Sequence, residues 1–242
     1  MVNKLPGNLC VLLPTVNELR NLKILIPQLK ETFPRATILV VDDGSIDGSN
    51  EYLEELQHQS QHIQFIQRGS RFGIGSAHLT GIKYASYLGY KYLITMDADL
   101  THRAEDAKSL FEKLDKSDIV IGSRYLKHSK IENWSYLRLV MTRLGHISTK
   151  MFFGTNIDMS SGLRGYKLES IDVELLEKNC PSNYEFFFVS ILIFLRLKLT
   201  ISQIPALLNN RGFGKSKMST ALALSGGLKL LSYGLRLKRV KI

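Results

Sequence analysis

The stretch LITMDADLTH (93–102) runs from an apolar, strand-like segment straight into Asp97 and Asp99. A carboxylate leaving a buried strand is costly unless it is paired, hydrogen-bonded or bound to a metal. Residues two apart in an extended segment share a face, so both carboxylates point to one side. Such a hard-oxygen pair suits Mg²⁺ or Mn²⁺, which one or two carboxylates hold together with substrate phosphates. The plainer alternative is a pair of solvated acids at the start of the next helix, because D-x-D is short and common.

Other residues with chemistry to offer cluster in the same way. Asp42 and Asp43 end a second apolar run, where an acid accepts hydrogen bonds from a ribose or base or simply builds a turn with Gly44-Ser45. Arg124 follows a further run, Arg138 and Arg143 come next, and Arg211, Lys215 and Lys217 fall in RGFGKSK. Arginine and lysine at a ligand-binding edge are phosphate binders, although any single one is equally a solvated surface charge. The glycines of GSRFGIGS (69–76) do not form a dinucleotide fingerprint, since His78 occupies the place of the third glycine. No P-loop pattern is present.

The elements that must position these groups are legible as alternation. Short apolar runs at 9–13, 36–41, 63–67, 90–96 and 118–122 read as parallel strands covered on both faces. Helical patterns lie between them: 17–33, where Pro27 must kink or restart the helix, then 50–59, 77–89 and 102–115, the last with acids in its first turn. The sum is an α/β fold with an open, mostly parallel sheet flanked by helices. The polar clusters 14–18, 42–45, 68–75, 97–102 and 122–124 all follow strands. They therefore converge on the carboxyl edge, where open α/β sheets bind ligands. After Tyr125 a helix over about 134–153, a polar turn DMSSGLRGY, a helix through FFFVSILIFLRL and a strand-like TISQIPALL form an extension on the same core.

Composition bounds the rest. The 242 residues are 44% hydrophobic and carry a formal net charge of +10, which favours anionic partners such as phosphorylated ligands or an acidic membrane face. Cys10 and Cys180 make neither a disulfide framework nor a zinc site, and the N-terminus lacks an apolar run of signal-peptide length, so a reducing, cytoplasmic setting is expected. The ten-residue run FFFVSILIFL is too short to span a bilayer and reads as a buried core helix. From Leu222 onward the chain mixes Leu with Lys229, Arg236, Lys238, Arg239 and Lys241 and has no acid. Such a segment either lies on an anionic membrane or docks on the protein's own core. RGFGKSK lacks an aromatic-rich basic stripe, so no nucleic-acid partner is expected.

Several of these segments, in order, resemble the family 2 glycosyltransferases of the GT-A fold, and among them the dolichol-phosphate mannosyltransferases and related polyprenyl-phosphate glycosyltransferases. The matching stretches are LLPTVNE (12–18), LVVDDGSIDGS (39–49), RFGIGSAHLTGIKYA (71–85), MDADLTH (96–102), VIGSRY (120–125), NW (133–134), SSGLRGY (160–166) and RGFGKSKMS (211–219). The resemblance implies a catalytic domain over 1–220 with a C-terminal helical extension, and a basic amphipathic segment at 221–242. It implies a nucleotide-sugar donor held by Pro14, Thr15, Asn17, Glu18, Asp42 or Asp43, and Ala98. It implies Mg²⁺ or Mn²⁺ at Asp97 and Asp99. Thr101 stands where some relatives carry a further metal ligand, and Val16 where the family usually has an aromatic or small polar residue. Arg124, Arg138, Thr142, Arg211 and Lys217 would surround the phosphate of a lipid acceptor, with Asp97, Asp99, Arg124 and Arg211 as the catalytic set. The implied reaction moves a hexose, foremost mannose from GDP-mannose, to a polyprenyl or dolichyl phosphate with inversion, peripherally on the cytoplasmic face of a membrane, either alone or beside a small membrane-anchoring subunit. UDP-glucose as donor, another family 2 acceptor, and a non-catalytic nucleotide-sugar binding protein are the other readings.

Overall fold

The apolar runs become the strands of one seven-stranded sheet in the computed structural model, which describes residues 8–132 and 134–214. The chain runs β1 (Leu9–Thr15), α1 (Leu19–Thr32), β2 (Thr37–Asp42), α2 (Ser49–Gln59), β3 (Ile63–Gln67), α3 (Ile74–Tyr87), β4 (Tyr92–Thr95), α4 (Ala104–Lys113) and β5 (Ile119–Ser123). It continues through β6 (Lys130–Ile131), α5 (Tyr136–Phe153), β7 (Arg164–Lys167), α6 (Val173–Asn179), α7 (Glu185–Arg196), β8 (Ile201–Pro205) and β9 (Leu207–Leu208). The sheet order is β3-β2-β1-β4-β7-β5-β8, with β7 antiparallel to both neighbours and the other pairings parallel. β6 and β9 form a separate two-stranded ribbon.

This order reverses direction between β1 and β4, which are neighbours although three helices separate them in the chain. Crevices for ligands open at such a switch point, beyond the carboxyl ends of the strands. β4 stops early, with Thr95 opposite Leu12, whereas β1 runs on through Pro14 and Thr15 alongside β2. Past the end of β4, Pro14 has a strand neighbour on one side only, so its missing N–H breaks no ladder there.

Three expectations change. First, of the two outcomes expected at Pro27, kink or restart, the restart falls away, since α1 is one continuous helix with Pro27 inside it. Its buried stripe, Leu22, Leu25, Ile26 and Leu29, outweighs the one hydrogen bond that Pro27 removes. Secondly, the stretch read as a polar turn contains β7, which enters the sheet between β4 and β5. Thirdly, the region after Tyr125 is not a helical extension packed on the sheet but part of it: β7 enters the sheet, and the stretch read as strand-like, TISQIPALL, supplies its member β8. α7 is the expected core helix, and among the described residues no helix is long and apolar enough to cross a membrane. Residues 215–242, including Lys217 and the basic segment 221–242, lie outside the described residues.

Two cores sit on the two faces of the sheet. α1 and α4 cover one with Leu22, Leu25, Leu29 and Leu110; α3 and α7 cover the other with Ile82, Phe186, Phe187 and Phe194. Gly81 lets α3 reach β1, because a Cβ there would lie 2.4 Å from the Leu12 methyl carbons.

The second core also holds His78, fully buried between the rings of Phe186 (5.6 Å) and Phe187 (4.9 Å), with neither ring nitrogen hydrogen-bonded. Burial, assisted by Arg164 and opposed by Asp97, pushes its pKa down from 6.5 to about 3. The fold therefore accepts only the neutral ring. The stability this residue permits is complete above pH 6.5 and declines as pH falls from there toward 3. About 2 kcal/mol should be lost from this source by pH ~5, at roughly 1.4 kcal/mol per pH unit. His78→Phe should remove that part of the slope in urea unfolding compared at neutral and mildly acidic pH. An unchanged slope would show that other groups cause it.

Candidate active site

Glu18 follows β1, Asp97 and Asp99 follow β4, and Arg211 follows β9; the fold brings all four to the switch-point crevice. Arg211 spans it. Its Nη1 donates to Asp99 Oδ2 (2.9 Å), its Nη2 to Glu18 Oε1, and its Nε to the Phe213 carbonyl (2.9 Å). The segment carrying Arg211 is anchored on both sides of the crevice. Gly212 N donates to the Asp99 carbonyl (3.0 Å), and Phe213 N to Asn21 Oδ1 (3.0 Å). The Arg20 guanidinium also lies 4.1 Å from the centroid of the Phe213 ring.

The two aspartates differ in setting. Asp97 is the more open, at 41% side-chain exposure against 16% for Asp99. His102 Nε2 is 3.5 Å from Asp97 Oδ2. Desolvation acts to raise the pKa of Asp97, but the hydrogen bond from His102, with the charges of His102 and Arg211, outweighs it and holds the carboxyl below its ordinary value. Asp99 is pushed the other way, first by burial and then by the charge of Asp97. Two like charges held together repel and take up a cation. Thr101 orients Asp99 by donating both its hydroxyl (2.6 Å) and its backbone N–H (3.1 Å) to Oδ1. Gly162, in the loop before β7, leaves room for Asp97: a Cβ there would stand 3.0 Å from Oδ1.

This donor set fits a divalent cation. It supplies two hard carboxylates and a hydroxyl, and the guanidinium of Arg211 already serves Asp99 as a cation. A cleft of about 360 Å³ opens beside it, lined by Asp99, Thr101, Trp134, Ser135, Arg138, Asn210 and Arg211.

Across that cleft lies the arginine side. Arg138, on the first turn of α5, stacks 3.6 Å from the Trp134 ring centroid. Its pKa is lowered, by burial first and then by the charge of Arg124, with Asp99 opposing. Arg124 is held rather than free. Its Nε (2.8 Å), its Nη2 (2.6 Å) and its backbone N–H (3.0 Å) all donate to the Asp158 carboxylate, and Nη2 also donates to Ser160 Oγ. Thr142 adjoins this group through its carbonyl, which accepts from Tyr125 Oη (3.1 Å), while Tyr125 stacks on His146 at 3.8 Å.

On the other flank the expected nucleotide residues are built into the loops. Asn17 adopts a left-handed backbone, with φ 53°, and ties two loops together. Its N–H donates to Ser45 Oγ (2.7 Å) and its Oδ1 accepts from Ile46 N (2.8 Å). Asp42 is fully buried and closes its own turn on Gly44 N, Ser45 N and Ser45 Oγ. Asp43 pairs with Arg68 and accepts from Gly73 N (3.0 Å), which fixes the loop after β3. Pro14 and Thr15 end β1, and Ala98 is buried between the two aspartates.

The structure thus gathers Glu18, Asp97, Asp99, Thr101, Arg138 and Arg211 into one crevice, with Arg124 and Thr142 adjoining it. Sequence reasoning gave no individual role to Asp158, His102, Asn21 or Arg68, although Arg68 and His102 fall in the polar clusters 68–75 and 97–102 and Asp158 heads the polar stretch that precedes β7.

Known proteins fit this geometry. The Glycosyl transferase family 2 pattern matches residues 10–173. The chain is 31% identical over 232 residues to a polyprenol monophosphomannose synthase of Mycolicibacterium smegmatis, covering 93% of this chain and 86% of that protein. It is 29% identical over 228 residues to an undecaprenyl-phosphate mannosyltransferase of Micrococcus luteus, covering 93% of each. In fold it is similar to the crystal structure of glucosyl-3-phosphoglycerate synthase from Mycobacterium tuberculosis with Mn²⁺, UDP and glucosyl-3-phosphoglycerate. That likeness has a TM-score of 0.66 at 16% identity and covers 100% of this chain and 85% of the other. With its GT-A architecture and its Asp-x-Asp crevice, the chain belongs to glycosyl transferase family 2.

Proposed function

We propose that the protein transfers mannose from GDP-mannose to a polyprenyl phosphate, with inversion at the anomeric carbon. The observation that carries this reading is one cleft lined by Asp99, the second carboxylate of the Asp-x-Asp pair, and by Arg138 and Arg211. The names of the two mannosyltransferase relatives support the sugar and the acceptor class.

Asp97 and Asp99 would hold Mg²⁺ or Mn²⁺, with Thr101 keeping Asp99 oriented and its own oxygen lone pairs available. The cation supplies charge neutralisation for the departing diphosphate. The loops ordered by Asn17, Asp42 and Asp43, together with Pro14, Thr15, Glu18 and Ala98, would shape the nucleotide subsite. Arg138 and Arg211 bind the acceptor phosphate and set its oxygen against the anomeric carbon; Arg124, fixed by Asp158, adds positive potential behind them. A phosphate monoester has its second pKa at about 6, so it is already a nucleophile at neutral pH and no general base is required. The C–O bond to the diphosphate breaks as the new C–O bond forms, which inverts the centre. A product that keeps the anomeric configuration of the donor would contradict this. Lys217 is a further phosphate contact in this reading. The acceptor brings the enzyme to the cytoplasmic face of a membrane, alone or beside a small anchoring subunit.

UDP-glucose is the second reading for the donor, since the similar solved structure was determined with UDP. Calorimetric titration of GDP-mannose and UDP-glucose, each with and without Mn²⁺, separates the two. The expected result is Mn²⁺-dependent binding of GDP-mannose at least tenfold tighter than UDP-glucose, a difference of about 1.4 kcal/mol. The reverse preference would replace the donor.

A further inference from the structure

β7 separates the two halves of the site. It lies between β4, which leads into Asp97 and Asp99, and β5, which leads into Arg124. Because it runs antiparallel to both, its first residue stands near their carboxyl ends: Arg164 pairs with Thr95 on one side and with Ile121 on the other. Arg164 is wholly buried, and its guanidinium is held by neutral oxygens. Nε donates to the Ser161 carbonyl (2.8 Å), Nη2 to the carbonyls of Met159 (2.9 Å) and Phe187 (2.8 Å), and Nη1 to Ser190 Oγ (2.9 Å). A buried charge without a counter-ion is a costly way to fill a core. What it secures here is the loop ahead of β7.

That loop, 158–163, touches both halves of the site. On the acidic side Thr95 Oγ1, two residues before Asp97, donates to the Gly162 carbonyl (2.9 Å). Gly162 also packs against the Asp97 carboxylate, where a Cβ would stand 3.0 Å from Oδ1. On the basic side Ser161 Oγ donates to the Gly122 carbonyl (2.6 Å), and Gly122 N to the Leu163 carbonyl (2.9 Å). The Asp158 carboxylate and Ser160 Oγ hold Arg124. We infer that Arg164 is a positioning residue: its guanidinium ties the middle of this loop to α7, and the loop then fixes Asp97 and Arg124 relative to each other. Lysine cannot replace it, because three donors on one nitrogen do not reproduce a planar fork that reaches acceptors on the loop and on α7 at once.

This role rests on Asp97 holding the cation proposed above, and its test needs no turnover. Amide hydrogen exchange of the metal-free chain reads the loop. Electron paramagnetic resonance reads Mn²⁺ uptake, with GDP and separately with UDP present. In Arg164→Lys the amides of Gly122 and Arg124, which bond to the loop, should exchange about tenfold faster or more, while those of Val11 and Leu13 in β1 keep their protection. Mn²⁺ should bind about tenfold or more weakly, as when an outer partner of a metal ligand is lost. Phe194→Leu, which thins the same core without touching a partner of Arg164, is the control for lost stability and should bind Mn²⁺ as wild type does. Should Arg164→Lys fail to fold, Ser190→Ala removes one acceptor of the guanidinium and should weaken Mn²⁺ in the same direction, by less. Mn²⁺ affinity that falls no further than in Phe194→Leu would overturn the inference and leave Arg164 a packing residue, as would protection lost evenly over the whole sheet. Wild type that takes up no Mn²⁺ with either nucleotide would overturn the metal site itself, and the link from Arg164 to it.

Discussion

Asp99→Asn is expected to lower glycosyl transfer by about 10²–10³-fold while leaving the folded protein as stable as before, or slightly more so. The two halves have separate causes. Asp99 is one of the two carboxylates available to a cation, and its Oδ2 holds the arginine that spans the crevice. Losing it removes a carboxylate that holds the cation in the proposed site and releases Arg211 from its position. Stability follows the opposite course because burial and the neighbouring charge of Asp97 raise the pKa of Asp99 in the folded state. An acid with a raised folded pKa opposes folding once pH exceeds the unfolded value, most fully above the folded one. Neutral asparagine keeps the shape and removes that opposition. Initial rates and a thermal melt of the same preparation check both halves. A variant that melts much earlier than wild type would mean that Asp99 serves the fold and not the chemistry.

Asp158→Ala should have the largest effect on stability, about 3 kcal/mol, because it strands the largely buried guanidinium of Arg124. Native domains hold only about 5–15 kcal/mol in total, so the loss is a large share. Asp158 is fully buried and takes three donations from Arg124. Burial alone would raise its pKa, but the charge and hydrogen bonds of Arg124 hold it below the ordinary value. Its contribution is therefore present above the unfolded carboxylate pKa of about 3.9 and is lost as pH falls through the folded value. Arg124→Ala with Asp158→Ala should cost less than the sum of the two single changes, since the double variant leaves no unpaired charge. Simple additivity in urea unfolding would show that the pair is not coupled.

The legibility of this fold followed the hydrophobic period. β1, β2, β4 and β5 are near-continuous apolar runs, readable to within a few residues because strands buried on both faces need no alternation, whereas the edge strand β3, IQFIQ, is only part-buried and was marked by Ile63, Phe65 and Ile66 alone. β7 was not readable for a physical reason. Its sequence RGYK opens on an arginine, and yet Arg164 is wholly buried, its guanidinium spent on the carbonyls of Met159, Ser161 and Phe187 and on Ser190 Oγ. No pattern of polarity announces a charge satisfied by backbone carbonyls. The acids of the crevice were readable because they follow strands and the topology sends strand ends to one edge. What each acid does was not, since that depends on distant partners. Asp42 looked like a ligand group but closes its own turn. Arg124 looked like a free phosphate binder but is claimed by Asp158, 34 residues away. Arg211 reaches Glu18 across 193 residues and Asp99 across 112, a bridge that only the folded chain reveals.

The most direct test of the central claim is a transfer assay with radiolabelled GDP-mannose, undecaprenyl phosphate in detergent and Mn²⁺, scored as label in the organic phase. The account predicts a mannosyl-phosphoryl lipid with wild type, formed only with the metal and not by Asp99→Asn. Label that stays in the aqueous phase, from folded protein that binds the donor, would contradict lipid phosphate as the acceptor.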